Sequence, residues 1–137
     1  MERERIAPYI GAVGSLVLAV VLSAPYLAIT TQSQLLADYY GAGPLGVVGA
    51  IFLATLGTVI FLSSVRGRAD PELVAGIMLV VGVAIFGLTA LWAVSIDTTL
   101  LFSFPSNAAW IETHRWVSLA VSAVVAAAAA AYAAAVY

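Results

Sequence analysis

Four long stretches without a charged residue constrain this chain more than any other feature. They cover residues 6–37, 39–65, 73–96 and 116–137. An α-helix needs about 20 apolar residues to cross the roughly 30 Å hydrocarbon core of a bilayer, and each stretch meets that length. Lipid offers the backbone no hydrogen-bond partner, so only helices and closed barrels span it, and continuous apolar runs lack the alternation of barrel strands. The sequence therefore predicts an all-α, membrane-spanning four-helix bundle.

The composition supports lipid as the solvent for most of this surface. Hydrophobic residues make up 64% of the 137 residues and charged residues 9%, whereas soluble domains average about 45–50% and 25%. A water-soluble domain of this size still exposes roughly 30% of the surface of its unfolded chain. We therefore predict one transmembrane domain over residues 1–137, in a multi-pass protein of the cell membrane. A net charge of −2 without a basic patch argues against a nucleic-acid partner.

Prolines and one aspartate indicate where the four spans begin. The expected helices lie near residues 8–29, 44–65, 72–95 and 113–136. Pro8, Pro44 and Pro71 each stand where a first helical turn is expected, the position that tolerates a missing N–H. Asp70 is a suitable N-cap for the third span. Pro25 lies inside the first stretch and is expected to kink or end that helix.

The first stretch admits a second interpretation, a cleavable signal peptide over residues 1–28. Arg3 and Arg5 would form its basic start, followed by an apolar segment. The cleavage site is poor, because Pro25 follows Ala24 and bulky Tyr26 occupies a position that requires a small residue. A retained helix is the favoured reading.

The arginines predict the orientation of the bundle. Arg3, Arg5, Arg66 and Arg68 fall on one side of four threaded helices, and Arg115 falls on the other. Cytoplasmic loops carry the excess of basic residues, so both termini and the 66–70 turn are expected in the cytoplasm. The result is two antiparallel hairpins in an N-in, C-in arrangement.

The segments between the spans are expected to lie at the membrane interface. Residues 32–40 are consistent with a short interfacial helix. The apolar segment 98–105 is expected to cap the bundle or lie in the interface, and docking of a partner is its alternative role. Ser106 or Asn107 is a candidate N-cap for an early start of the fourth helix.

Small residues recur every fourth position on several spans, and this spacing places them on one helical face. Helices in lipid associate through close packing, which small side chains permit. We therefore predict a packing stripe within the bundle, with a dimer face as the alternative. Its members are Gly11, Ser15, Ala19, Ser23, Gly46, Ala50, Ala54, Ser118 and Ser122.

One polar cluster is predicted at the outer face, formed by Asp97, Glu112, His114 and Arg115. We expect His114 to be a solvated interfacial residue, and Asp97 and Arg115 to form a surface ion pair worth about 0–1 kcal/mol. An anion or substrate gate is the alternative role for that pair. One histidine and no cysteine leave too few ligands for a metal or haem. The prediction is therefore no cofactor, no metal site and no catalytic residue.

The whole chain resembles the small, uncharacterised four-helix membrane proteins encoded by halophilic archaea. The resemblance rests on lysine-free spans rich in Ala, Val and Gly, on the start at residues 1–5, on the arginine-bearing 66–70 turn and on the segment from Trp110 to Trp116. It implies a membrane location and implies no known activity or catalytic residue.

The predicted spans contain no ionisable side chain within the hydrocarbon, and such residues usually mark ion pathways and proton relays. The favoured function is therefore a non-enzymatic small subunit or assembly partner of a membrane complex. Its partners would be the lipid bilayer and other membrane subunits or a second copy. The alternative is a small transporter or channel component for a neutral or lipophilic solute, and an enzyme or redox subunit comes third.

Overall fold

A computed structural model describes residues 2–29, 33–96, 98–104 and 110–137. All regular secondary structure in that part of the chain is α-helix, which confirms the all-α part of the predicted fold class. Four of its helices are long and apolar enough to cross a membrane. The helices are α1 (Glu2–Ala28), α2 (Ser33–Tyr40), α3 (Val48–Val65), α4 (Pro71–Ser95), α5 (Thr98–Phe102) and α6 (Ile111–Val136).

The four long helices form a closed ring in which each contacts two neighbours. Helix α1 packs against α3 and α6, and α4 packs against the same two helices. We call the end that holds the 66–70 turn the turn end. The last residue lies there too, since the Tyr137 hydroxyl donates to the Glu72 carbonyl at 2.5 Å. The short helices α2 and α5 contact each other at the opposite end, which we call the aromatic end.

The interior of the ring is filled by large apolar side chains, and the outside is apolar as well. Leu18, Met78 and Ile85 are fully buried. On the outer side of α4, Val80 is 71% exposed, and on α3, Phe52 is 63% exposed. A soluble bundle carries polar residues on its outer face, whereas these exposed positions are apolar.

Helix α4 agrees with its predicted bounds because its start is encoded locally. Pro71 occupies the first helical position, and the Asp70 carboxylate accepts a hydrogen bond from the Glu72 N–H at 3.4 Å. A proline at this position loses no helical hydrogen bond, and the aspartate satisfies a donor that the helix leaves unpaired. Helix α6 begins at Ile111, two residues before the expected start. The candidate caps Ser106 and Asn107 lie outside the described residues.

Two helix starts differ from the expectation. Helix α1 begins at Glu2 and includes Pro8, so that this proline interrupts the hydrogen-bond ladder without ending the helix. Helix α3 begins at Val48, later than the expected start near residue 44. Pro44 lies in the connector that follows α2. In that connector Gly43 and Gly46 have φ angles of 77° and 68°. Left-handed backbone does not continue an α-helix, and Gly46 therefore belongs to a turn and not to the packing stripe.

The other members of the stripe lie on helices, most of them inside the ring. Gly11, Ser15, Ala50, Ala54, Ser118 and Ser122 are buried, whereas Ala19 and Ser23 are half-buried. At Gly11 an added Cβ would collide with the Phe61 ring, so the glycine makes room for a buried aromatic residue of α3. Small residues therefore allow neighbouring helices to approach closely at individual contacts.

Gly82 lies at a close contact between α4 and α6, and this contact yields a testable prediction. A Cβ at Gly82 would lie 3.2 Å from the Ala129 Cβ and 3.4 Å from the Ala126 Cα, whereas a Cβ at Gly87 meets nothing within 4 Å. We expect Gly82→Leu to lower the free energy of unfolding in detergent by about 1–3 kcal/mol, because overpacking separates the helices. The matched control Gly87→Leu should leave that free energy unchanged or raise it. Equal losses in the two variants would contradict the packing described here.

Candidate functional site

The chain's one histidine lies inside the aromatic end of the bundle. His114 stands one turn into α6 and is 5% exposed. This differs from the expectation of a solvated interfacial histidine. The short helix α2 is responsible, because it lies across this end and covers the imidazole with Tyr39.

Both ring nitrogens of His114 are hydrogen-bonded to other helices. Nε2 lies 2.5 Å from the Val21 carbonyl oxygen of α1, and Nδ1 lies 2.7 Å from the Tyr39 hydroxyl of α2. A carbonyl only accepts, so Nε2 carries the proton and donates it. In a neutral imidazole Nδ1 is then the acceptor, and Tyr39 donates to it. The two bonds together select one tautomer of the ring.

Tyr39 extends this network to a fourth helix. Burial raises the pKa of its phenol, so the hydroxyl stays protonated and remains a donor to His114. Its backbone carbonyl accepts a hydrogen bond of 2.7 Å from the indole Nε1 of Trp92 in α4. A single chain of hydrogen bonds thus joins α1, α6, α2 and α4. We call Val21, His114, Tyr39 and Trp92 the histidine network.

Aromatic rings surround the histidine network and exclude water from it. The Tyr39 ring meets Trp92 edge-on at 5.2 Å between centroids and Phe104 at 6.0 Å. Trp110 meets His114 edge-on, with 6.0 Å between the ring centroids. Edge-to-face pairs at these separations are favourable beyond the area they bury. Phe104, which follows α5, lies within the predicted capping segment 98–105, so the described part of that segment does cover the bundle end.

The carbonyl that His114 contacts needs an outside donor because of Pro25. In a regular helix the Val21 carbonyl accepts from the N–H four residues later, and that residue is Pro25, which has none. An unpaired carbonyl in an apolar interior costs about 1–3 kcal/mol. His114 supplies the missing donor from α6. The histidine thus completes the hydrogen bonding of a different helix.

Arg115 has a comparable role at the end of α4. Its Nη1 donates to the Ala93 and Ile96 carbonyl oxygens, both at 3.2 Å, and its guanidinium lies 4.7 Å from the centre of the Trp116 ring. The last carbonyls of a helix lack intrahelical donors and carry partial negative charge, so a cation there is stabilising.

The predicted polar cluster therefore divides. His114 and Arg115 turn toward backbone carbonyls of other helices, whereas Glu112 is exposed. Asp97 lies outside the described residues, so its ion pair with Arg115 stays a prediction. The three described members, Glu112, His114 and Arg115, do not form one surface site, because His114 is buried.

Hydroxyl groups deeper in the bundle are fully enclosed. Ser15, Thr89, Ser118 and Ser122 have no exposed surface. Ser122 donates to the Leu119 carbonyl of its own helix at 2.7 Å. Ser15, Thr89 and Ser118 make no hydrogen bond with the described part of the chain. Their side chains are small enough to occupy helix contacts, where they add little bulk.

The chemistry open to this site is limited, because the hydrogen-bonding groups of its histidine already have partners. Each nitrogen of His114 is already engaged, and the described residues contain no group of three His, Cys, Asp or Glu side chains that could hold a metal. The arrangement is suited to holding helices in register. Sequence reasoning missed it, although one signal was present: a proline four residues after Val21 creates a carbonyl that requires a donor.

The whole chain, residues 1–137, matches a family of unknown function, DUF7548, and belongs to it. The resemblance to an uncharacterised family thus agrees with this match. No curated protein and no solved structure matches the chain significantly. The family supplies no activity, so a function has to be argued from the geometry.

The histidine network predicts strong coupling between two side chains. Tyr39→Phe leaves the acceptor Nδ1 unpaired, and His114→Leu leaves the Tyr39 hydroxyl and the Val21 carbonyl unpaired. We expect each to lower the free energy of unfolding in detergent by about 1–3 kcal/mol. The double variant should cost clearly less than the sum, since both residues serve one hydrogen bond. Tyr9→Phe, at an exposed tyrosine of α1, is the control and should change little. Additive losses would argue against the network.

Proposed function

We propose that this protein is a multi-pass integral protein of the cell membrane and serves as a non-enzymatic small subunit or assembly partner of a membrane complex. The proposal rests on how the protein uses its polar side chains, which bond to its own backbone. The buried histidine and the one arginine of α6 are both committed to carbonyls of neighbouring helices. These groups stabilise the bundle and leave no reactive centre among the described residues of the spans.

The outer faces of the long helices support insertion in lipid. Val13, Phe52, Val80 and Val124 are exposed on four different helices. Exposed to water, such a surface would favour aggregation, and in lipid tails it is solvated. The lysine-free composition further supports a halophilic archaeal source for the family.

The two ends of the bundle support the N-in, C-in orientation. Arg66 and Arg68 are exposed in the turn between α3 and α4, and Arg3 and Arg5 stand near the start of α1. Arg115, at the aromatic end, is bound to the end of α4 and is therefore not a free interfacial cation. The exposed positive charge thus gathers at the turn end, which we place in the cytoplasm.

The buried hydroxyls favour a subunit over a solute carrier. A carrier for a neutral solute requires a polar cavity that reaches Ser118 and Ser122 from the outer end. Both side chains are fully buried, and the fully buried rings of Trp92 and Tyr39 lie between them and that end. Packing of this kind suits a component that contributes an outer surface to an assembly.

A photoreactive residue on each outer face tests the subunit proposal. We place it at Val13, Phe52, Val80 or Val124, one on each of the four long helices, and at the fully buried Ile85 of α4 as a matched control. Illumination in the native membrane should give protein adducts from one outer face, lipid adducts from the others and no adduct to a second protein from Ile85. In mild detergent the mass should exceed that of one 14.1 kDa chain. A lone monomer without protein adducts at any outer position would overturn the proposal.

A further inference from the structure

Helix α1 is interrupted by Pro25 shortly before it ends. The helix continues to Ala28, so the chain turns once more after the proline. Pro25 lacks the N–H that would bond to Val21, and its ring crowds that carbonyl. Sharp bends in helices occur at prolines and where a side chain enters the hydrogen-bond ladder. Both features are present at this point of α1.

The side-chain group that enters the hydrogen-bond ladder of α1 is the hydroxyl of Tyr40. It accepts a hydrogen bond from the Tyr26 N–H at 3.1 Å and donates one to the Leu22 carbonyl at 2.7 Å. In a regular helix the Tyr26 N–H would bond directly to the Leu22 carbonyl. The phenol of α2 thus stands inside the ladder of α1 and bridges the opened bond.

Both repairs of α1 depend on adjacent residues of α2. Tyr40 bridges the opened bond directly, and Tyr39 holds His114, which donates to the Val21 carbonyl. The burial that raises the pKa of Tyr39 also raises that of Tyr40, so both hydroxyls stay protonated and remain donors. Displacement of this one eight-residue helix would release both carbonyls together.

The segment after Pro25 has little packing of its own. Tyr26 is 69% exposed and Leu27 is 70% exposed, while Ile29 beyond the helix is buried. A turn with so few buried contacts takes its direction mainly from the hydrogen bonds at its base. Segments of this kind open more readily than the core that supports them.

We propose that Pro25 is a hinge in α1 and that α2 is the strap that locks it. With α2 seated, the Tyr40 hydroxyl and the Tyr39–His114 pair hold the last turn of α1 in one direction. When α2 lifts, the Val21 and Leu22 carbonyls lose their outside donors and the segment from Tyr26 to Ala28 changes direction. This device extends beyond the proposed subunit role and does not depend on it.

Amide hydrogen exchange of the full chain in detergent, resolved by NMR, tests the strap. Tyr40→Phe keeps the ring and removes the bridging hydroxyl. We expect exchange at the Tyr26 amide to accelerate about tenfold, the equivalent of one lost hydrogen bond, while the amides of Ala128 and Ala129 at the turn half of α6 keep their rates. Tyr9→Phe is the matched control and should change neither rate. Equal Tyr26 rates in Tyr40→Phe, Tyr9→Phe and the unaltered protein would overturn the proposal.

The variant Pro25→Ala, used as a second background, tests whether the effect of Tyr40 depends on the proline. Pro25→Ala supplies an N–H to Val21 and allows the Leu22–Tyr26 bond to close, so Tyr40→Phe in this background should change Tyr26 exchange less than about twofold. The same acceleration in both backgrounds would show that the proline is not the hinge. Pro25→Ala alone should slow exchange from Tyr26 to Ala28. Exchange as fast as in the unaltered protein would also overturn the hinge, even if Tyr40→Phe fails to fold.

Discussion

The hydrogen bond from His114 to the Val21 carbonyl connects the local chemistry of one helix to the arrangement of the others. In an apolar surrounding, a backbone carbonyl without a donor is costly, and Pro25 creates such a carbonyl in α1. His114 of α6 donates to this carbonyl, and the Tyr39 hydroxyl of α2 orients His114. The Trp92 indole of α4 donates in turn to the backbone carbonyl of Tyr39. Hydrogen bonds thus join four helices at the position where Pro25 leaves α1 without a backbone donor.

Side chains complete the backbone hydrogen bonding at both ends of α4 as well. Arg115 closes the last turn of α4, and Asp70 closes its first turn. At the turn end, Tyr132 of α6 is hydrogen-bonded to Ser64 of α3. These polar side chains are few, and each bonds to a group of another element or to a helix end. Arg115 and Asp70, two of the few charged residues of this chain, thus complete the backbone hydrogen bonding of one helix.

The sequence predicted the number of long helices, because the length of an uncharged apolar run is a direct property of the chain. It also predicted the start of α4, which Asp70 encodes locally. The start of α3 was missed, since Pro44 is equally suited to a turn and the left-handed backbone at Gly46 is visible only in the structure. The burial of His114 was missed for a different reason. It depends on α2 folding over the bundle end, a contact that periodicity does not contain, although Pro25 marked the carbonyl involved.

We propose that lipid surrounds this bundle and that its turn end lies on the cytoplasmic side. The chain contains no cysteine, so single cysteines report directly on location. Leu45→Cys in the exposed connector at the aromatic end and Glu72→Cys at the exposed start of α4 are the matched pair. In intact cells a membrane-impermeant maleimide should label the first variant, and should label the second only after permeabilisation. Labelling of both in intact cells, or release of the protein from membranes by alkaline carbonate, would contradict the account.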